Sequence, residues 1–152
     1  MLYRLERTQR LRVDLCTAWA FFSDPRNLST ITPPWLDFQI RSPLPERVHP
    51  GLIIVYSVRP LFGVPVRWVT EITHVVEPVL FVDEQRFGPY RFWHHQHLFR
   101  AVPGGIEMTD LVHYLLPFGL LGRLVHRLLV ARQLQRIFDF RRDWLAQHFG
   151  GL

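Results

Sequence analysis

The chain has 152 residues, of which 48% are hydrophobic, 14% aromatic and 20% charged, with a formal charge of +5. That composition is of one globular domain able to bury a core, and it argues against a disordered chain or a pair of domains. All 18 basic residues are arginine, a bias of genome composition more than of a phosphate-binding surface, so nucleic acid is not the expected partner.

The first residues, MLYRLERTQRLRV, alternate apolar and charged positions. A secretory signal would instead show a basic head followed by an apolar run. No apolar stretch reaches the length of a membrane span, and Cys16 is the single cysteine, so no intrachain disulfide or thiolate metal site forms. A cytoplasmic location is the expectation.

Residues 2–13 alternate as a first strand, with Leu11 and Val13 on one face and Arg10 and Arg12 on the other. Asp14 then offers an N-cap to a short apolar helix through Phe22, and Asp24 with Pro25 opens a second short helix that Pro33 and Pro34 end. From 36 to 116, β-branched and aromatic runs are punctuated by turn signals such as VEP, FGPY and VPGG. They predict six strands near 36–42, 52–59, 65–76, 79–87, 91–102 and 105–116, antiparallel because the connections are short.

After LPFG the period changes to Leu121, Leu124, Leu128, Ala131, Leu134, Phe138 and Leu145 with arginines between. This predicts a helix of up to about 30 residues. It is the only element large enough to cover the apolar face of such a sheet. The expected class is therefore α+β: a curved antiparallel sheet of about seven strands, two short helices, and a long C-terminal helix with a cavity beneath it.

This order, with the runs FSDPRNLSTITPPW, PVRWVTEIT, FVDEQRFGPYRFWHHQHLF, GGIEMTD and LPFGLLGRLVHR, resembles the START-like (SRPBCC) superfamily of the helix-grip fold over nearly the whole chain. The similarity is to the bacterial polyketide cyclase/dehydrase-like ligand-binding branch. It implies a deep, largely apolar pocket between sheet and helix. Members bind lipids, sterols, quinones, hormones or polyketides, and a minority catalyse.

Side chains alternate along a strand, so the three histidines of RFWHHQHLFR part company. Trp93, His95, His97 and Phe99 form the more apolar parity and are assigned to the inner face, leaving His94 outside. The same test sends Phe81, Asp83, Gln85 and Phe87 inward, then Met108, Asp110, Val112 and Tyr114, and on the earlier strands Trp68, Thr70 and Ile72 with Tyr56 and Val58. Tight hairpins would set His95 opposite Asp83, His97 opposite Asp110 and Phe99 opposite Met108. Each inward histidine would then have its own aspartate.

Three roles compete for this cluster. The first is a self-satisfied polar patch, open to ligand contact but without chemistry, since buried polar groups need partners. The second is a general base, a histidine oriented by a carboxylate in an apolar pocket, with His95, Asp83, His97 and Asp110 as candidates. The third, a metal bound by His95 and His97 with a carboxylate, has the weakest signal, because the same aspartates suit outer-shell partners. No metal and no cofactor are expected. No nucleophile accompanies the histidines, since Cys16 falls in the first helix and Ser57 points outward.

The expected function is binding, transport or sensing of a hydrophobic or amphipathic small molecule, with a cyclase or dehydratase using a His–Asp base as the alternative. The expected ligand contacts are Tyr56, Trp68, Thr70, Asp83, Gln85, Trp93, His95, His97, Phe99, Met108, Asp110 and Tyr114. Trp35 could serve as a lid or as a capping aromatic, and Leu61 and Phe62 sit at a loop tip where they could gate the cavity, touch a membrane, or equally fold back on the helix. Arg123, Arg127, Arg132 and Arg136 make a solvated helix face that could also meet an anionic membrane.

Overall fold

The computed structural model describes residues 1–152, the side chain of Arg123 excepted. Seven strands form one antiparallel sheet: β1 (Tyr3–Leu11), β2 (Gln39–Ile40), β3 (Ile53–Val58), β4 (Val66–Val76), β5 (Leu80–Phe87), β6 (Phe92–Val102) and β7 (Gly105–Leu115). Their spatial order is β1-β7-β6-β5-β4-β3-β2. Consecutive strands from β2 to β7 are neighbours, joined by short connections from β3 onward, and β1 closes the far edge against β7. The predicted strand at 36–42 shrinks to Gln39–Ile40 because a helical turn at Pro34–Leu36 and a left-handed Asp37 occupy its start.

Asp14 caps α1 (Leu15–Phe22) by accepting from the Thr17 amide at 2.9 Å, and Asp24 caps the turn Pro25–Leu28 in the same way through Arg26. Helix α1 lies across the inner face at one end of the sheet. Its Trp19 and Phe22 meet Phe99 with ring centroids 5.9 and 5.1 Å apart. At the other end Tyr56, Trp68, Tyr90, Trp93 and Tyr114 form a second aromatic group under the C-terminal helix.

That helix is continuous but not uniform. It runs as α2 (Gly119–Val125), a π-helical stretch at His126–Val130, and α3 (Ala131–Phe149). In α3 the expected stripe is buried at Leu134, Phe138 and Leu145. The earlier half departs from expectation: Leu121, Leu124 and Leu128 are exposed, and Val125 and Val130 face the core instead. The π stretch shifts the phase of one half of the helix against the other, so one apolar stripe cannot serve both. Arg127, Arg132 and Arg136 are exposed as expected, whereas the expectation for Arg123 falls outside the described residues. No helix among the described residues is long and apolar enough to cross a membrane.

Phe87 also departs from expectation, being exposed instead of inward. Thr70 pairs with Gln85 while Val69 pairs with Phe87, so one step on β4 spans two on β5. This bulge moves Phe87 to the outer face beside Val69. Trp35 is not a lid over the cavity: it packs on the outside of α3 against Phe140, with the Arg136 guanidinium 5.1 Å from its ring. At the loop tip Phe62 is exposed, while Leu61 turns back toward the second aromatic group.

The β1–β7 closure depends on one glycine. A Cβ on Gly105 would stand 1.9 Å from the Leu11 carbonyl oxygen, a main-chain atom that cannot swing aside. Gly105→Ala is expected to cost about 1–3 kcal/mol, the range for overpacking a close contact. The check is the urea midpoint, which should fall with an unchanged slope; an unshifted midpoint would show that the edge pair adjusts freely.

Candidate functional site

Three neighbouring strands carry the polar centre. Asp83 on β5 pairs with His95 on β6, and His97 pairs with Asp110 on β7, the register predicted from the hairpins. Alternation sends all four side chains to the inner face, and His94 points out to Glu84, 2.7 Å away. His95, His97 and Asp110 are buried and Asp83 is nearly so.

The hydrogen bonds nevertheless cross the register. His95 Nε2 bonds Asp110 Oδ1 at 3.0 Å, and His97 Nε2 bonds Asp83 Oδ2 at 2.7 Å. The register partners are held more loosely: His95 Nδ1 is 3.4 Å from Asp83 Oδ2, and His97 Nδ1 is 3.0 Å from Asp110 Oδ1 without hydrogen-bond alignment. Each carboxylate therefore touches both imidazoles, in place of the two separate pairs expected. Side chains of this length reach diagonal neighbours across a sheet as well as direct ones. The two imidazole rings lie 3.8 Å apart, with Phe81 stacked on His97 and Phe138 edge-on to His95.

A fifth member comes from the helix. Arg141 Nη1 is 3.5 Å from Asp110 Oδ1, and the side chain is buried. It is not among the four arginines, Arg123, Arg127, Arg132 and Arg136, read as a solvated helix face. The signal was present: Arg141 lies three residues after Phe138 and four before Leu145, on the buried stripe itself.

These contacts set the proton affinities. Burial pushes the Asp83 and Asp110 carboxyls up, but Arg141 and the two imidazoles outweigh it, and both are held below the ordinary carboxylate value, Asp110 well below. Burial lowers His95, and His97 beside it lowers it further. For His97 burial is overcome by its contacts with Asp110 and Asp83, so this ring holds its proton above the ordinary value of 6.5. With His97 protonated the formal charges cancel, two carboxylates against one guanidinium and one imidazolium.

Beside this centre lies a cavity of about 210 Å³ between the sheet and α3. Of the residues expected to contact a ligand, Tyr56, Trp68, Thr70, Asp83, Trp93, His95 and His97 line it. Five do not. Phe99 and Met108 are covered by α1 in the core, and Asp110 sits behind the histidines. Gln85 is spent on the main chain of Tyr90, donating to its carbonyl at 2.6 Å and accepting from its amide at 3.2 Å. Tyr114 bonds His126 Nε2 on the helix at 2.8 Å.

The cavity is also lined by Leu134, Ile137, Phe138 and Arg141 of the helix and by Leu28 and Ile31, none of them among the expected ligand contacts. A second hollow of about 270 Å³ near α2 shares Pro60, Tyr90 and Gln133 with the first.

Asp83, His95 and His97 could each offer one atom to a metal ion, and those atoms lie within 4.8 Å of one another. The same atoms are engaged with partners inside the cluster, and the Arg141 guanidinium places positive charge beside them, which disfavours a cation.

No family model matches the sequence, and no curated protein matches it either. Solved structures do match in fold. A START superfamily protein from Mycobacterium smegmatis aligns with a TM-score of 0.69 at 11% identity, covering 95% of this chain and 98% of that one. Ara h 8.0201 aligns with a TM-score of 0.61 at 14% identity, over 97% of this chain and 99% of that one. The di-domain ARO/CYC BexL from the BE-7585A biosynthetic pathway gives 0.66 at 15% identity, over 95% of this chain and 50% of that one. The chain therefore has the START-like helix-grip fold, a curved seven-stranded sheet closed by a long C-terminal helix.

Two measurements probe the cluster. A ring-proton NMR titration should show the imidazoles charging in two steps, His95 below 6.5 and His97 above it; two midpoints on the same side would refute this asymmetry. Asp110→Asn should cost about 3–5 kcal/mol at neutral pH by leaving buried charge uncompensated. Because the folded-state affinity of Asp110 is depressed, its contribution is complete above 3.8 and is lost as pH falls through the folded value. The stability gap between wild type and variant, read by urea denaturation, should narrow on acidification.

Proposed function

We propose that this protein binds a hydrophobic or amphipathic small molecule in the cavity between sheet and C-terminal helix, as a carrier or sensor. The observation that carries this reading is a cavity whose wall is aromatic and aliphatic except at one end, where Asp83, His95, His97 and Arg141 meet. Pockets built this way take an apolar body and orient it by a few placed polar groups. Trp68, Trp93 and Phe138 would hold the body, and the histidine end would hold a polar group. The fold shared with a START superfamily protein supports small-molecule binding in general.

A second reading is favoured by one specific contact. His95 faces the cavity and is bonded behind to Asp110 at 3.0 Å, the arrangement of a general base oriented by a carboxylate. An imidazole whose proton affinity is lowered by burial stays neutral near pH 7 and can accept a proton from carbon alpha to a ketone. The ARO/CYC neighbour makes a polyketide-like substrate the first to try.

Protein purified without detergent should carry a copurified small molecule in native mass spectra. A clean apoprotein that also ignores panels of lipids and quinones would overturn the binding reading. For the catalytic reading, turnover of a polyketide or cyclic ketone should fall by about 10²–10⁴-fold in His95→Ala. An unchanged rate in His95→Ala and in Asp83→Asn would exclude both as the base.

A further inference from the structure

The hydrogen-bonding inventory of the cavity wall is one-sided. Among the described residues, the buried side-chain atoms without a partner that belong to the wall are Trp68 Nε1, His97 Nδ1 and Arg141 Nε, all nitrogens. Arg141 is the sharpest case. It is buried, it lines the cavity, and its nearest acidic contact is the single 3.5 Å approach of Nη1 to Asp110. A guanidinium has five N–H donors and no acceptor. Buried donors of this kind cost free energy until an acceptor reaches them.

Several of the wall's polar groups already have partners within the protein. Asp83 receives His97, and Tyr56 and Thr70 bond each other at 3.1 Å. A ligand offering oxygen acceptors finds a buried guanidinium with an N–H that no protein atom engages. From this inventory, and resting on the binding reading above, we infer that the ligand is an amphipathic organic acid whose carboxylate, or an enolate or phenolate of equal charge, is held by Arg141.

The cluster can also absorb the charge that such a ligand brings. His95 bonds Asp110 through Nε2, and its Nδ1 lies 3.4 Å from Asp83 Oδ2. When His95 is neutral and donates through Nε2, that second contact lacks a proton. An arriving anion would favour a proton on His95 Nδ1, which would complete the contact to Asp83 and restore neutrality. The groups facing His95 are Asp83 on β5, His97 on its own strand, Asp110 on β7 and Phe138 on α3, with Arg141 of α3 beside Asp110. No other ionisable group is needed. Trp68 Nε1, farther along β4, offers a further donor to an acceptor carried on the ligand's body.

The test pairs two ligands of one chain length, decanoate and decanol, in displacing the neutral fluorophore N-phenylnaphthylamine from the protein. Decanoate should displace it at about tenfold lower concentration than decanol, and Arg141→Gln should erase that preference. If the fluorophore binds and decanol competes as well as decanoate, the acid is wrong while the cavity reading stands. If neither the fluorophore nor decanoate binds, as judged also by native mass spectrometry, both readings fall. The comparison in the unmodified protein needs no variant, so a misfolded Arg141→Gln would not shield the inference.

Discussion

Two carboxylates on the inner face of a sheet have to be compensated by positive charge, and the middle of this molecule is arranged around that requirement. Asp83 and Asp110 stand on strands either side of β6, so the histidines between them are within reach of both. The sheet alone supplies imidazoles; the guanidinium has to come from the opposite layer, and it does, from Arg141 on α3. Helix and sheet are thereby tied through charge at the same depth where they are tied elsewhere by Leu134 and Phe138 packing on Trp68 and Trp93. A purely apolar centre could be as stable, since buried ionic groups are costly to desolvate. What the ionic centre adds is a fixed polar end to the cavity.

The cavity itself follows from how the two ends of the sheet are filled. Trp19 and Phe22 of α1 close one end and the Tyr56–Trp68–Trp93 group lines the other. The bulges on β4 and β5 bend the sheet between them. The helix then spans a concave surface that side chains fill only partly.

Much of this was legible in the sequence because a strand's period of two is unforgiving. Once Trp93, His95 and His97 share a face, the short FGPY and VPGG turns fix Asp83 and Asp110 opposite them. The six later strands were also readable, because turn residues separate β-branched runs. What escaped had a physical reason in each case. The bulge that turns Phe87 outward is a local extra residue with no apolar signature. Phe99 and Met108 face inward as expected, but no strand pattern says that α1 covers them. The crossed hydrogen bonds depend on side-chain reach, which register does not encode. Arg141 was readable and overlooked, since a charge on a buried stripe carries more information than its neighbours on the solvated face.

The π-helical stretch at His126–Val130 has a consequence beyond the exposed leucines. An inserted residue acts on a helix as a phase slip acts on a wave: the two halves keep the same axis but present different faces to one direction. Here the slip falls where His126 stacks on Tyr3 at 3.5 Å and receives the Tyr114 hydroxyl at 2.8 Å. Those contacts anchor the junction to β1 and β7, the edge pair that closes the sheet. The two halves of the helix are thus separate tenants of one cylinder: α3 answers to the cavity and its charges, while the face that α2 presents is set at the junction.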